Sequence, residues 1–132
     1  MKNSIVAAVV AASLGMATAA QAEITVGFIT SQSGPGSSIG VLYDRGMKAA
    51  VEYASSIGAE KIKLIQLDDG SDPSAATRNA RKLVEENKVD LLIGTSTAAS
   101  TSAMVPIANE LKVPMIAISP ISAKFWCWMG SS

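Results

Sequence analysis

The stretch DLLIGTSTAASTSAMVPIAN, Asp90 to Asn109, opens as an apolar, β-branched run and closes on an i, i+3, i+4, i+7 apolar stripe formed by Met104, Ile107, Ala108 and Leu111. The first half reads as a buried strand and the second as an amphipathic helix. Between them, Thr95 to Thr101 contains only Ser, Thr and Ala. A strand-to-helix turn needs only a few residues, so a longer run of small hydroxyl-bearing residues marks a place where something approaches the backbone closely. A helix N-terminus offers unpaired N–H groups and a partial positive charge, and hydroxyls add donors and acceptors without a counter-charge. Such a loop suits an anion or a zwitterion such as an amino acid. A plain Ser-rich helix cap explains the same residues without a ligand.

The same strand and helix alternation runs outward in both directions. ITVGFIT (Ile24 to Thr30) is a strand followed by the turn-rich SQSGPGSS, and Ile39 to Ile57 places Met47, Ala50, Val51, Ala54 and Ile57 on one helical face. Ser37 or Ser38 is the expected N-cap of this helix, and Gly58 its end. KIKLIQLDD (Lys61 to Asp69) is a strand ending in two carboxylates, and SDPSAATRNARKLVEEN follows with Asp72 as cap, Pro73 at the first helical position, and Ala76, Ala80, Leu83 and Val84 as its buried stripe. VPMIAIS (Val113 to Ser119) is the fourth strand. Pro106 requires the third helix either to start late or to bend. The pattern βαβαβαβ with near-continuous apolar strands predicts an α/β fold, a parallel sheet with helices on both faces. Ligands of such sheets bind outside the carboxyl ends of the strands, here Thr30 to Ser38, Asp68 to Asp72, Thr95 to Thr101, and Ser119 to Ser122.

Composition narrows the chemistry. The 132 residues carry no net charge, no His and one Cys, which argues against a nucleic-acid surface, a His-based catalytic centre and a disulfide framework. The N-terminal MKNSIVAAVVAASLGMATAAQA has Lys2, an apolar run from Ile5 to about Met16, and small residues closing on Ala20-Gln21-Ala22; it reads as a signal peptide over residues 1–22, cleaved after Ala22 to leave Glu23 as the mature N-terminus. The apolar run is shorter than the roughly 20 residues of a bilayer span. Gly34, Gly36 and Gly40 miss the dinucleotide-binding spacing by one residue, with Pro35 where a tight turn would be needed. Asp68 and Asp69 invite comparison with a metal-binding phosphoacceptor pocket, but Gly94 stands where the third strand would supply its carboxylate. No cofactor and no metal are expected. Ser96 lacks the G-x-S-x-G elbow of a nucleophile, so the chain does not read as an enzyme. Arg78, Arg81, Lys82, Glu85 and Glu86 form a solvated helix face, with Arg81 and Glu85 spaced as an i, i+4 pair.

Taken together, ITVGFITSQSGPGSSIG, RGMKAAVEYA, LDDGSDPSAATRNARKLVEENKVDLLIG and TSTAASTSAMVPIANELKVPMIAISP resemble the periplasmic substrate-binding proteins of branched-chain amino acid ABC transporters, the leucine/isoleucine/valine-binding type with the type I periplasmic binding fold. The resemblance runs through the mature chain to about Ile121. It implies a flavodoxin-like partial N-terminal lobe over residues 23–121, a small-molecule ligand, delivery to a membrane permease, a periplasmic location and no catalysis. It also implies that Ile39 lies over the ligand side chain, that the loop after the third strand (Ser96, Thr97, Ala98, Ser100) meets the ligand's α-ammonium and α-carboxylate, and that the loop after the fourth strand contributes around Ser119. Ala98 stands where these binders often place a serine, so the hydroxyl must come from Ser96, Thr97 or Ser100, and the expected ligand widens from branched-chain amino acids to related small carboxylates. Family members run to about three times this length, so the chain reads as truncated, with 122–132 as a tail of uncertain structure. Two other readings are a ligand-sensing domain of the same fold coupled to a regulator, and a small secreted α/β enzyme with a Ser nucleophile.

Overall fold

The computed structural model describes residues 23–56 and 61–121; the expected signal peptide over residues 1–22, the expected helix end at Ile57 and Gly58, and residues 122–132 lie outside them. Four strands and three helices alternate: β1 (Glu23–Thr30), α1 (Ser37–Ser56), β2 (Lys61–Asp68), α2 (Pro73–Glu85), β3 (Leu91–Gly94), α3 (Ala98–Glu110) and β4 (Met115–Ala117). The strands form one parallel sheet in the order β2-β1-β3-β4, with Val26 paired to both Leu64 and Leu91, and Ile93 paired to Ile116. That is the beginning of the flavodoxin-like order.

Alternation along the strands divides the apolar residues between two faces. On one face Ile29, Leu92, Leu83, Ala76, Ala80, Met104, Ile107 and Ala108 make a closed core under α2 and α3, joined by Ile65, Leu67 and Met115. On the other, Val26, Phe28 and Ile93 pack with Tyr43 and Met47 of α1 and with Ile62, Leu64, Leu91 and Ile118. Helices therefore cover both faces, but unequally. Met47 meets the sheet while Ala50 is exposed and Val51 and Ala54 are only half-buried, because α1 alone lies on its side.

The ends of the elements follow local chemistry. At α2, Asp72 accepts hydrogen bonds from the N–H groups of Ser74 and Ala75, and Pro73 occupies the first turn, where its missing N–H costs no helical bond. The start of α1 differs from the Ser37 or Ser38 cap expected of the sequence. The helix already includes Ser37, and the Gly36 carbonyl accepts the Gly40 N–H at 3.0 Å, so Gly36 is the capping residue. A side chain does not fit there: a Cβ on Gly36 would lie 2.8 Å from Thr97 Cγ2. Pro106 neither delays α3 nor ends it, since the helix runs from Ala98 to Glu110 with Pro106 inside on its exposed side. The fourth strand is shorter than its apolar run. Pro114 has no N–H to give the ladder, although its carbonyl accepts from Leu92 N and Ile118 N still reaches the Gly94 carbonyl.

Candidate functional site

The sheet order puts a switch point between β1 and β3: the chain leaves β1 toward the α1 face and leaves β3 toward the α3 face. In sheets of this order the crevice that takes a ligand lies at the switch point, outside the carboxyl ends of the strands. A buried polar network lies there. Thr30, Ser31, Asp69, Thr95, Ser96, Ser100, Thr101 and Ser119 are all buried.

Asp69 is the hub. It is 1 % exposed, and its Oδ1 accepts from Ser31 Oγ at 2.6 Å and from Ser71 N at 2.9 Å, while Oδ2 accepts from Thr95 Oγ1 at 2.5 Å. No basic side chain pairs with it among the described residues; hydrogen bonds alone compensate its burial. Thr95 passes the network on. Its N–H donates to Thr101 Oγ1 at 3.0 Å, and Thr101 Oγ1 shares a 2.5 Å hydrogen bond with Ser119 Oγ. One chain of bonds thus joins the ends of all four strands.

Asp68 faces outward and organises the loop after β1. It accepts from Gln32 N, Ser33 N, Ser33 Oγ and Gly70 N. Burial works against its ionised form, but the Ser33 hydroxyl and the N–H groups of Gly70, Gln32 and Ser33 outweigh it and hold the carboxyl below its ordinary value. Ser71, in the left-handed region at φ 65°, donates its hydroxyl to the Ser33 carbonyl and accepts from Gly36 N at 2.9 Å. Both aspartates therefore have structural employment, and among the described residues no cluster of His, Cys, Asp or Glu suits a metal ion.

The residues singled out in the sequence fall into three groups. Ile39, 47 % exposed in the first turn of α1, and Ala98, exposed at the first position of α3, both stand at helix starts that follow strand ends. Ser96, Ser119 and Thr97 are committed internally. Ser96 Oγ lies 3.0 Å from Thr30 Oγ1 and accepts from Ser31 N, Ser119 Oγ is held by Thr101, and Thr97 caps α3 by accepting from Ser100 N. Ser100 stands apart, fully buried with a hydroxyl that has no hydrogen-bond partner. At the head of α3, Thr97 serves the Ser100 N–H, whereas the N–H groups of Ala98 and Ala99 belong to a first turn with no intrahelical acceptor.

Thr30, Ser31, Ser71, Thr95 and Thr101 were not anticipated as members of the network. Their hydroxyls look like ordinary turn residues in sequence, and the only hint was their position at predicted strand ends.

The model for the periplasmic binding protein family matches residues 23–128. An amino acid binding protein of Pseudomonas aeruginosa is 32% identical over 122 residues, which cover 90% of this chain and 32% of the relative. The branched-chain amino acid transporter substrate-binding protein LivJ of Streptococcus pneumoniae, solved with isoleucine, matches 79% of this chain and 31% of its own at 26% identity and a TM-score of 0.74. A solute-binding protein of an ABC transporter from Rhodopseudomonas palustris, solved with 3,4-dihydroxybenzoic acid, matches 74% of this chain and 27% of its own at 29% identity and a TM-score of 0.66. The chain thus spans about a third or less of the length of the curated relatives it matches. With its parallel sheet in the order β2-β1-β3-β4 and these matches, the chain belongs to the periplasmic binding protein family, in its branched-chain amino acid type.

Proposed function

We propose that residues 23–121 are the N-terminal lobe of a solute-binding protein that captures an amino acid of branched-chain type, or a related small carboxylate, for an ABC transporter permease. Residues 1–22 are then its signal peptide, the location is the periplasm, and no reaction is catalysed. The observation that carries this reading is the head of α3. Its first-turn N–H groups at Ala98 and Ala99 have no intrahelical acceptor, and they stand at the switch point beside the hydrogen-bond network centred on Asp69. A carboxylate is stabilised there by the donors and by the helix dipole. With Ala98 lacking a hydroxyl, recognition passes to these N–H groups, to Thr97 and to Ser100, with Ile39 bordering the ligand side chain. That two solved relatives carry isoleucine and 3,4-dihydroxybenzoic acid supports a small carboxylate as the shared chemistry.

The test is a two-lobed protein in which this lobe replaces the corresponding lobe of a relative, titrated by calorimetry with isoleucine, other amino acids and 3,4-dihydroxybenzoate. At least one ligand is expected to bind, more weakly after Ser100→Ala. A folded two-lobed protein that binds no small carboxylate contradicts the reading.

A further inference from the structure

Among the described residues α2 and α3 pack on each other, whereas α1 packs mainly on the sheet. The outer side of α1 carries exposed apolar residues. Leu42 is 63 % exposed and Tyr53 65 %, and Gly46 and Ala49 between them are exposed as well. A single exposed apolar residue is ordinary. These four differ because their spacing of four, three and four residues sets them on one stripe of the helix, the a and d positions of a heptad pattern. The g positions beside the stripe hold Arg45 and Glu52, both exposed and of opposite charge. Neither makes an ion pair among the described residues.

The stripe is complementary to itself. Its bulky members stand at the ends and its small ones in the middle, where a Cβ on Gly46 would meet nothing within 4 Å. Two copies of α1 running antiparallel about a two-fold axis between Gly46 and Ala49 set Leu42 against the partner's Tyr53. Where Gly46 meets the partner's Ala49, the two backbones can approach closely, since the distance between packed helices follows the size of the side chains at the contact. The charges agree with the same arrangement. In an antiparallel pair g faces g, so Arg45 lies opposite the partner's Glu52 and Glu52 opposite the partner's Arg45. In a parallel pair g faces e, which sets Arg45 against the partner's Ala50 and gives it no counter-charge. One axis thus satisfies shape and charge together, as an isologous contact requires.

We propose that the outer side of α1 is a docking surface for a second copy of this chain, in which two α1 helices pack antiparallel through Leu42, Gly46, Ala49 and Tyr53, with Arg45 and Glu52 paired across the axis. One helix from each copy buries less than the roughly 1,200 Å² of a standard stable interface, so the dimer is weak and forms on concentration. The surface runs along the side of α1 and does not depend on what binds at the head of α3.

Sedimentation equilibrium of the purified protein over a concentration series is expected to fit a monomer–dimer equilibrium. Arg45→Glu and Glu52→Arg each set like charges opposite one another, and each is expected to weaken the dimer several-fold while far-UV circular dichroism stays unchanged. The double variant restores opposite charges at both places and is expected to return the dissociation constant close to its original value, as is an equimolar mixture of the two single variants. Leu42→Asp is expected to abolish the dimer. A protein that stays monomeric at every concentration overturns the proposal and leaves the stripe to another occupant. So does a dimer indifferent to the single reversals, or a double variant as weak as either of them. Association that continues beyond the dimer also overturns it, since it assigns the contact to a strand edge.

Discussion

Asp69 and Thr95 share a 2.5 Å hydrogen bond that ties the end of β2 to the end of β3, although β1 lies between those strands. The bond bridges beneath the crevice, and Ser31 from the β1 end enters it through the same carboxylate. A buried anion satisfied only by neutral donors is sensitive to the loss of any of them, since the desolvated charge cannot recover its partner from water.

Thr95→Val keeps the shape of the side chain and removes the donor. It is expected to cost about 1.5 to 3 kcal/mol, the range for a hydrogen bond to a charged group, seen in urea as a lower midpoint with an unchanged slope. A loss below about 0.5 kcal/mol, the level of an ordinary surface substitution, is incompatible with Asp69 as the hub.

Two glycines of α1 should respond in opposite directions. A Cβ on Gly40 would overlap the Ser31 carbonyl oxygen and lie 2.9 Å from Ser96 Oγ, whereas Gly46 has nothing within 4 Å. Gly40→Ala is expected to destabilise by about 1 to 3 kcal/mol through overpacking, and Gly46→Ala to stabilise by up to about 1 kcal/mol through helix propensity. Thermal melts of both variants check the sign, and equal shifts contradict the close approach of α1 to the strand ends.

Ser96 and Ser100 should separate in the same way. Ser96→Ala strands the Ser31 N–H and the Thr30 hydroxyl, at an expected cost of about 1 to 3 kcal/mol. Ser100→Ala removes a buried hydroxyl that has no partner, so it is expected to be neutral or stabilising by about 1 kcal/mol. Chemical denaturation of the two variants side by side gives the answer, and a Ser100→Ala loss as large as that of Ser96→Ala shows that the Ser100 hydroxyl is bonded in solution.

Acid should weaken the loop after β1 through Asp68. Its carboxyl, of ordinary value 3.8, is lowered in the folded state, so the unfolded chain takes up the proton first. The stabilisation is complete above the unfolded value and is lost as pH falls from there through the folded one. Asp44, through its hydrogen bond from Lys48, and Glu110, through Arg81, are lowered too and act in the same direction. Asp68→Asn is expected to lower stability near neutral pH and to flatten the decline below about pH 4. An acid limb unchanged in this variant contradicts the assignment.

Much of the architecture was legible because hydrophobic period and cap chemistry act locally. Asp72 and Pro73 announced α2, and the Met104 to Leu111 stripe announced α3. The start of α1 was misjudged because Gly36 is chosen by contact with Thr97, a residue distant in sequence, rather than by capping propensity. Arg81 shows the same limit. Its i, i+4 partner Glu85 lies at 3.5 Å, but its tighter partner is Glu110 on α3 at 2.6 Å, which no helical spacing reveals. At the crevice, the sequence marked the run from Thr95 to Thr101 as unusual yet could not say which hydroxyls face inward. Ser96 and Ser119 serve the floor, and that assignment depends on how four strand ends meet in space.

In the proposed function this lobe supplies one half of a ligand site, at the head of α3. A hydroxyl contact or two and one helix end contribute on the order of 4 to 7 kcal/mol gross, whereas association costs roughly 4 to 15 kcal/mol, so the lobe alone should bind only feebly. The measurement is an amide NMR titration of the protein from Glu23 with millimolar isoleucine and 3,4-dihydroxybenzoate. Small, unsaturated shifts confined to Thr97 through Ser100 and the neighbourhood of Ile39 and Ser119 are expected. A dissociation constant below about 10 µM, equivalent to roughly −7 kcal/mol, or shifts centred away from the strand ends, would contradict it.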